Sequence, residues 1–356
     1  MSLTPRPGIM EIEAYVGGEA GVKGLTEVIR LASNENPLGP SASAVEAYAR
    51  LAGELHRYPD GGHHGLRAAI STRYGLPTDQ IVCGAGSDEL ITLLVRGYAG
   101  PGDEVLYSHH GFLMYPISAR SVGAVPISAE ERNLTAEVDS LLAKVSERTR
   151  IVFLANPNNP TGSYLPLSEL ERLRAGLPKH VLLAIDAAYA EYVEADDYDD
   201  GSSLVKAHDN VVMLRTFSKI HGLAALRLGW AFCPPEVASV LNRLRGPFNV
   251  TAAAQAAGIA SLEDPAHQEE SKRHNTEWRA WFVAELARLN LRAEPSQGNF
   301  VLVCFADAPA AAAFLKERGI LVRRMDSYHL PGHLRITIGT EADMRAVAAA
   351  LAELNQ

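Results

Sequence analysis

Between about residue 80 and residue 233 the chain carries seven short runs, IVCGAG, DEVLYS, AVPIS, RIVFLAN, HVLLAID, NVVMLRTFS and LGWAFC, which alternate with helix-like segments. Several of these runs are almost continuously apolar instead of alternating with polar residues. That is the pattern of strands covered on both faces. It restricts this part of the chain to an α/β class, with a largely parallel sheet enclosed by helices. In open sheets of this kind ligands bind beyond the carboxyl ends of the strands, so the segments that follow the runs are where chemistry is sought.

After Pro247 the texture changes. An Ala- and charge-rich stretch from Thr251 to Asn290 reads as helices broken at Pro265. NFVLVCF, APAAAAFLKERG, ILVRRM, HLRITIGT and a closing amphipathic segment then read as a smaller α+β unit. The expected division is an N-terminal arm over 1–30, a large domain over 31–246 and a small C-terminal domain over 247–356. Hydrophobic residues make up 47% and charged residues 21%, an ordinary globular balance, and the net charge of -9 argues against binding nucleic acid. No apolar run is long enough to cross a bilayer and no charged, then apolar leader is present, so a cytoplasmic protein acting on small molecules is expected. Cys83, Cys233 and Cys304 lie far apart, with neither disulfide nor zinc spacing, and no metal site is expected. The acidic run EADDYDDGS at 194–202 reads as a solvated loop.

Four strand-following segments carry the chemistry. In VCGAGSDELITLLV a strand runs through Gly84-Ala85-Gly86-Ser87 into a helix, whose start is suited to a phosphate. FLANPNNPTG stiffens a turn with prolines and offers an Asn amide. LLAIDAAYAEY ends an apolar strand on Asp186, a costly place for a carboxylate unless a cation pairs with it, and Tyr189 follows three residues on. LRTFSKIHGLAALRLGW sets Lys219 among apolar and small residues. Lost hydration there lowers a lysine from its usual value of about 10.4 and leaves a nucleophilic amine. Thr216, Ser218 and Arg227 beside it suit a phosphate. Asn159, Asp186 and Lys219 close three successive runs and should converge on one edge of the sheet. Pyridoxal phosphate, with an aldehyde, a phosphate, a phenolate oxygen and a pyridinium nitrogen, satisfies all of them.

With LASNENPLGPS, RYPDGGHHGLRAAI, SQGNFVLV, GILVRR and LRITIGT in the same order, the chain resembles the fold-type I pyridoxal-phosphate-dependent aminotransferases over nearly its whole length, and among them the histidinol-phosphate aminotransferase family. The resemblance implies a large domain with a mostly parallel seven-stranded sheet and a smaller α+β domain. It implies that Lys219 forms the Schiff base and acts as general base, that Asp186 pairs with the pyridinium nitrogen, and that Asn159 and Tyr189 bond the phenolate oxygen. Backbone amides at Ala85, Gly86 and Ser87, with Thr216, Ser218 and Arg227, would hold the phosphate. Phe112 would stack on the pyridine ring, and Tyr58 would reach across a homodimer interface to the partner's cofactor phosphate. Tyr15, Asn34, Asn299, Arg323 and Arg335 would line the substrate pocket, the two arginines facing an anionic group. The implied reaction is transamination between histidinol phosphate and 2-oxoglutarate in histidine biosynthesis. An aminotransferase for phenylalanine or tyrosine, or a decarboxylase of phospho-amino acids on the same fold, would use the same cofactor residues and stand as the alternatives.

Overall fold

The structure, a computed structural model, describes residues 3–19, 21, 24 and 27–354. Parts of the expected arm (1, 2, 20, 22, 23, 25 and 26) and the last two residues lie outside the described residues. In chain order the strands are β1 (Ile29–Leu31), β2 (Ile81–Gly84), β3 (Glu104–Ser108), β4 (Val125–Ala129), β5 (Glu131–Arg132), β6 (Thr135–Ala136), β7 (Thr149–Ala155), β8 (Leu182–Asp186), β9 (Val211–Thr216), β10 (Gly229–Phe232), β11 (Phe300–Cys304), β12 (Ile320–Arg324) and β13 (His333–Thr337).

The seven apolar runs form one seven-stranded sheet of order β2-β10-β9-β8-β7-β3-β4. β3, β4, β7, β8 and β9 pair in parallel, and β10 runs antiparallel to both its neighbours. Alternate residues of one strand enter different cores: Val152 and Leu154 of β7 pack on one face, Ile151 and Phe153 on the other. This explains the nearly unbroken apolar sequence, because neither face meets water. β5 and β6 form a separate two-stranded ribbon that the sequence pattern did not announce.

The C-terminal unit is a four-stranded sheet of order β1-β12-β13-β11. Val301, Val303, Leu334 and Ile336 of this sheet share a core with Trp278, Phe282 and Leu286 of the helix Pro265–Arg288, and with Val347 and Leu351 of the closing helix Glu341–Leu354. Pro265 opens its helix at a position where no amide partner is lost, and Asp264 caps it by accepting from the His267 amide at 3.2 Å.

Two features move the division between the units. Residues 29 and 30, expected in the arm, and Leu31, expected to open the large domain, pair in parallel with β12 of the C-terminal unit. The helix Ala252–Leu262 shares a core with the helices Ala42–Arg50 and His64–Tyr74 beside the large sheet, through Ala44, Leu66, Ile70, Ala254 and Ala257. We therefore propose that the boundary falls between Leu262 and Pro265, not at residue 247. No helix among the described residues is long and apolar enough to cross a membrane.

Candidate active site

β7, β8 and β9 are adjacent and parallel, so their carboxyl ends open on one side. There a cavity of about 290 Å³ is lined by Asn159 after β7, Asp186 and Tyr189 at and after β8, and Thr216, Ser218 and Lys219 at and after β9. Ser87, Phe112 and Arg227 add walls from the large sheet's side, while Tyr15, Asn34, Arg323 and Arg335 close the other. Thus thirteen of the seventeen residues singled out from sequence meet at one cavity.

Lys219 sits at its floor, partly buried, and donates a 3.2 Å hydrogen bond to the Ser33 carbonyl. Desolvation, reinforced by the guanidinium of Arg335, lowers its ammonium to about 8. Asp186 is buried, and burial raises its carboxyl to about 6. Within the protein the hydroxyl of Tyr115 donates to its Oδ2 at 2.9 Å. Oδ1 is buried without a partner among the described residues. Burial also pushes the Tyr189 phenol up to about 12, so it remains protonated; its hydroxyl accepts from Asn34 Nδ2 at 2.9 Å.

In the glycine turn after β2 two of the three amides expected to hold a phosphate are engaged within the chain. The Ala85 amide donates to Glu89 Oε2 at 2.6 Å and the Gly86 amide to the Gly84 carbonyl at 2.8 Å, so neither is free for a phosphate. Ser87 and Asp88, which line the cavity, form the first turn of the helix Ser87–Tyr98, where backbone amides have no partner within the helix. Gly86 serves by shape instead. Its φ of +85° forms the turn, and a Cβ there would lie 2.5 Å from Nη2 of Arg227. Arg227 itself bonds Ser218 Oγ at 3.3 Å and Asp88 Oδ2 at 3.0 Å.

On the opposite wall Arg335 donates to the Ala32 carbonyl at 2.7 Å and to Oδ1 of Asn159, which orients that amide. Arg323 donates to the Val16 carbonyl at 2.5 Å and its guanidinium lies 5.9 Å from the Tyr15 ring. Arg323 and Arg335 are directly paired residues of β12 and β13. Two like charges at paired positions are unfavourable without an anion between or beside them. Asn299 stays outside the cavity and works from behind, its Nδ2 donating to the carbonyls of Asn34 and Glu35 at 3.1 and 3.3 Å. Tyr58 is also outside it, 81% exposed and stacked on Phe248 with ring centroids 4.6 Å apart.

Sequence reasoning missed Tyr115, Thr337 and Asp88. Thr337 lies two residues beyond Arg335 on the same strand face, and its hydroxyl accepts from the Asn34 amide at 2.9 Å and donates to Asn34 Oδ1 at 3.1 Å. That spacing was the only signal available for it. Nor is the acidic run 194–202 simply solvated: Asp200, with Glu191, neutralises the buried Arg215 at 2.5 and 2.8 Å.

Fold and site together define a class: the chain belongs to the class I and II aminotransferases, and the family described as "Aminotransferase class I and II" matches residues 26–351. It is 60% identical over 353 residues to the histidinol-phosphate aminotransferase of Rhodospirillum centenum, and 57% identical over 354 residues to that of Paramagnetospirillum magneticum, with 98% of each chain covered. The crystal structure of the histidinol-phosphate aminotransferase from Sinorhizobium meliloti, in complex with pyridoxal-5'-phosphate, is similar at a TM-score of 0.92 and 30% identity, over 99% of this chain and 98% of that one. Within the class, the chain belongs with the histidinol-phosphate aminotransferases.

Proposed function

We propose that this chain is a pyridoxal-phosphate-dependent aminotransferase that exchanges an amino group between histidinol phosphate and 2-oxoglutarate in histidine biosynthesis. The observation that carries the substrate class is the pairing of Arg323 with Arg335 on a wall of the cavity that also holds Lys219 at its floor. Histidinol phosphate and 2-oxoglutarate differ in shape, but each brings a strongly anionic group, and planar guanidinium forks fit phosphate and carboxylate alike.

The residues present fit the cofactor. The unpartnered Oδ1 of Asp186 is an acceptor for a ring N–H, the amides of Ser87 and Asp88 with Thr216, Ser218 and Arg227 surround a place for a phosphate, and Phe112 offers a ring face. Asn159 and Tyr189 supply an amide and a phenol for the phenolate oxygen. When bound, pyridoxal phosphate supplies an aldehyde that condenses with amines and a ring that withdraws electrons from the amine-bearing carbon. Lys219, with its ammonium near 8, is partly neutral at physiological pH and is the group that accepts the proton from the substrate's Cα. Asp186 in its charged form favours a protonated ring nitrogen. Arg335 and Arg323 hold the substrate anion, so that Cα faces Nζ of Lys219.

We further propose a cytoplasmic homodimer. An aromatic pair as exposed as Tyr58 and Phe248, with Val45 and Tyr48 also about half exposed on the helix Ala42–Arg50, supports a partner surface there, with Tyr58 reaching the partner's phosphate site. Sedimentation of the holoenzyme tests this: a monomer at working concentration overturns it.

The test of the activity is a single turnover. The protein loaded with pyridoxal phosphate is mixed with one amino donor at a time, and loss of its visible absorbance is followed. Histidinol phosphate should react far faster than phenylalanine or tyrosine. Equal or faster reaction with the aromatic amino acids would reassign the substrate.

A further inference from the structure

Tyr115 belongs to the helix Met114–Ser121 and is fully buried. Its ring lies flat on Phe153 of β7, with centroids 4.6 Å apart and planes within 2°. Phe112, three residues earlier, meets it edge-on at 6.0 Å. From that stack the hydroxyl reaches the end of the neighbouring strand β8 and donates 2.9 Å to Oδ2 of Asp186. Packing alone does not call for the oxygen, since a phenylalanine would make the same stack. With Oδ2 tied, the carboxylate loses its freedom to turn, and Oδ1 is left as the oxygen available to a donor in the cavity.

We propose that Tyr115 is a positioning residue for the transamination, acting through Asp186: it fixes the carboxylate in one orientation, with Oδ1 presented to the cofactor's ring nitrogen. This rests on the reading that the cavity takes pyridoxal phosphate. The bond also bears on charge. Burial and the carboxylate of Asp88 oppose ionisation of Asp186, while the Tyr115 hydroxyl, the Ala188 amide and Lys219 favour it, with the balance near 6. Tyr115 stays a donor throughout, because burial and Asp186 hold its own phenol well above the usual range. Without the hydroxyl, Asp186 takes up its proton at a higher pH.

The test uses Tyr115→Phe, with Phe153→Leu as a control that disturbs the stack and keeps the hydroxyl. Equilibrium binding of pyridoxal phosphate to each apoprotein is measured from pH 5.5 to 9, beside thermal melting. For Tyr115→Phe the affinity should fall severalfold at pH 8.5, where only the orientation of Asp186 is lost, and by about tenfold or more near pH 6, where the acid limb is also displaced upward. Phe153→Leu should lower the melting temperature and leave the acid limb in place. A Tyr115→Phe affinity equal to wild type at pH 8.5, or a loss and an acid limb that match those of Phe153→Leu, reduces Tyr115 to a packing residue and overturns the proposal. Failure of the wild-type apoprotein to take up pyridoxal phosphate at any pH would instead sink the reading of the cavity.

Discussion

Gly229 begins β10, where that strand passes against the turn into the helix Ser87–Tyr98. A Cβ there would stand 2.5 Å from the Ser87 nitrogen, 2.6 Å from the Gly86 carbonyl carbon and 3.0 Å from the Arg215 oxygen. Favourable contacts begin near 3.5 Å, so Gly229→Ala demands a retreat of about 1 Å. All three neighbours are backbone atoms, so no rotamer change relieves the clash. β10 cannot yield either, because Gly229 is in register with Gly84 on one side and Thr216 on the other. The helix start therefore moves, carrying the Ser87 and Asp88 amides with it. Overpacking of this kind costs about 1–3 kcal/mol. We expect a lower melting temperature for the apoprotein and an affinity for pyridoxal phosphate at least about tenfold weaker, since errors of 1 Å in placement are expensive. Gly102→Ala is the comparison: its φ of +86° is strained for alanine, but nothing lies within 4 Å of the new Cβ. It should cost about 1 kcal/mol and leave cofactor affinity unchanged. If Gly229→Ala bound the cofactor as tightly as wild type while melting lower, the helix start would not be the phosphate site.

Lys219→Met should abolish the visible band and turnover. Because Lys219 ionises near 8 in the fold against 10.5 ordinarily, the unfolded chain binds more protons between those values, and this residue's contribution to stability rises with pH across them. The Lys219→Met apoprotein should thus melt above wild type at pH 7, with the difference closing by pH 10.5; a pH-independent difference would contradict a lowered Lys219. Arg335→Leu should cut kcat/KM by about 10²-fold for histidinol phosphate and for 2-oxoglutarate alike, with the cofactor still bound; a loss confined to one acid in steady-state assays would refute a shared anchor. Arg215→Met leaves Glu191 and Asp200 without their counter-charge and should cost about 3–5 kcal/mol in denaturant unfolding. Recovery of most of that loss on adding Glu191→Gln and Asp200→Asn is the expected companion result, and an unchanged midpoint for the single variant would disprove the buried network.

The sequence by itself determined the sheet and the edge on which the site lies. Strand runs such as RIVFLAN and HVLLAID are local signals, and strands consecutive in an α/β chain pair side by side, so Asn159, Asp186 and Lys219 had to converge. Partners that depend on side-chain reach were not legible. Tyr115 and Asp186 are 71 residues apart, Asn34 and Thr337 are 303 apart, and no periodicity links either pair. The same holds for Asp200, which reads as one charge among many until Arg215 is seen buried against it. Residues 29–31 are too short a run to announce a strand, and they become one only because β12 offers an open edge. The amides of Ala85 and Gly86 were assigned from the motif, but Glu89 and the Gly84 carbonyl engage them first. Hydrophobic pattern and strand order are written in short windows of sequence. Which hydroxyl meets which carboxylate, and which two arginines face each other, is decided only when the packed elements bring distant side chains within about 3 Å, because hydrogen bonds act over that range alone.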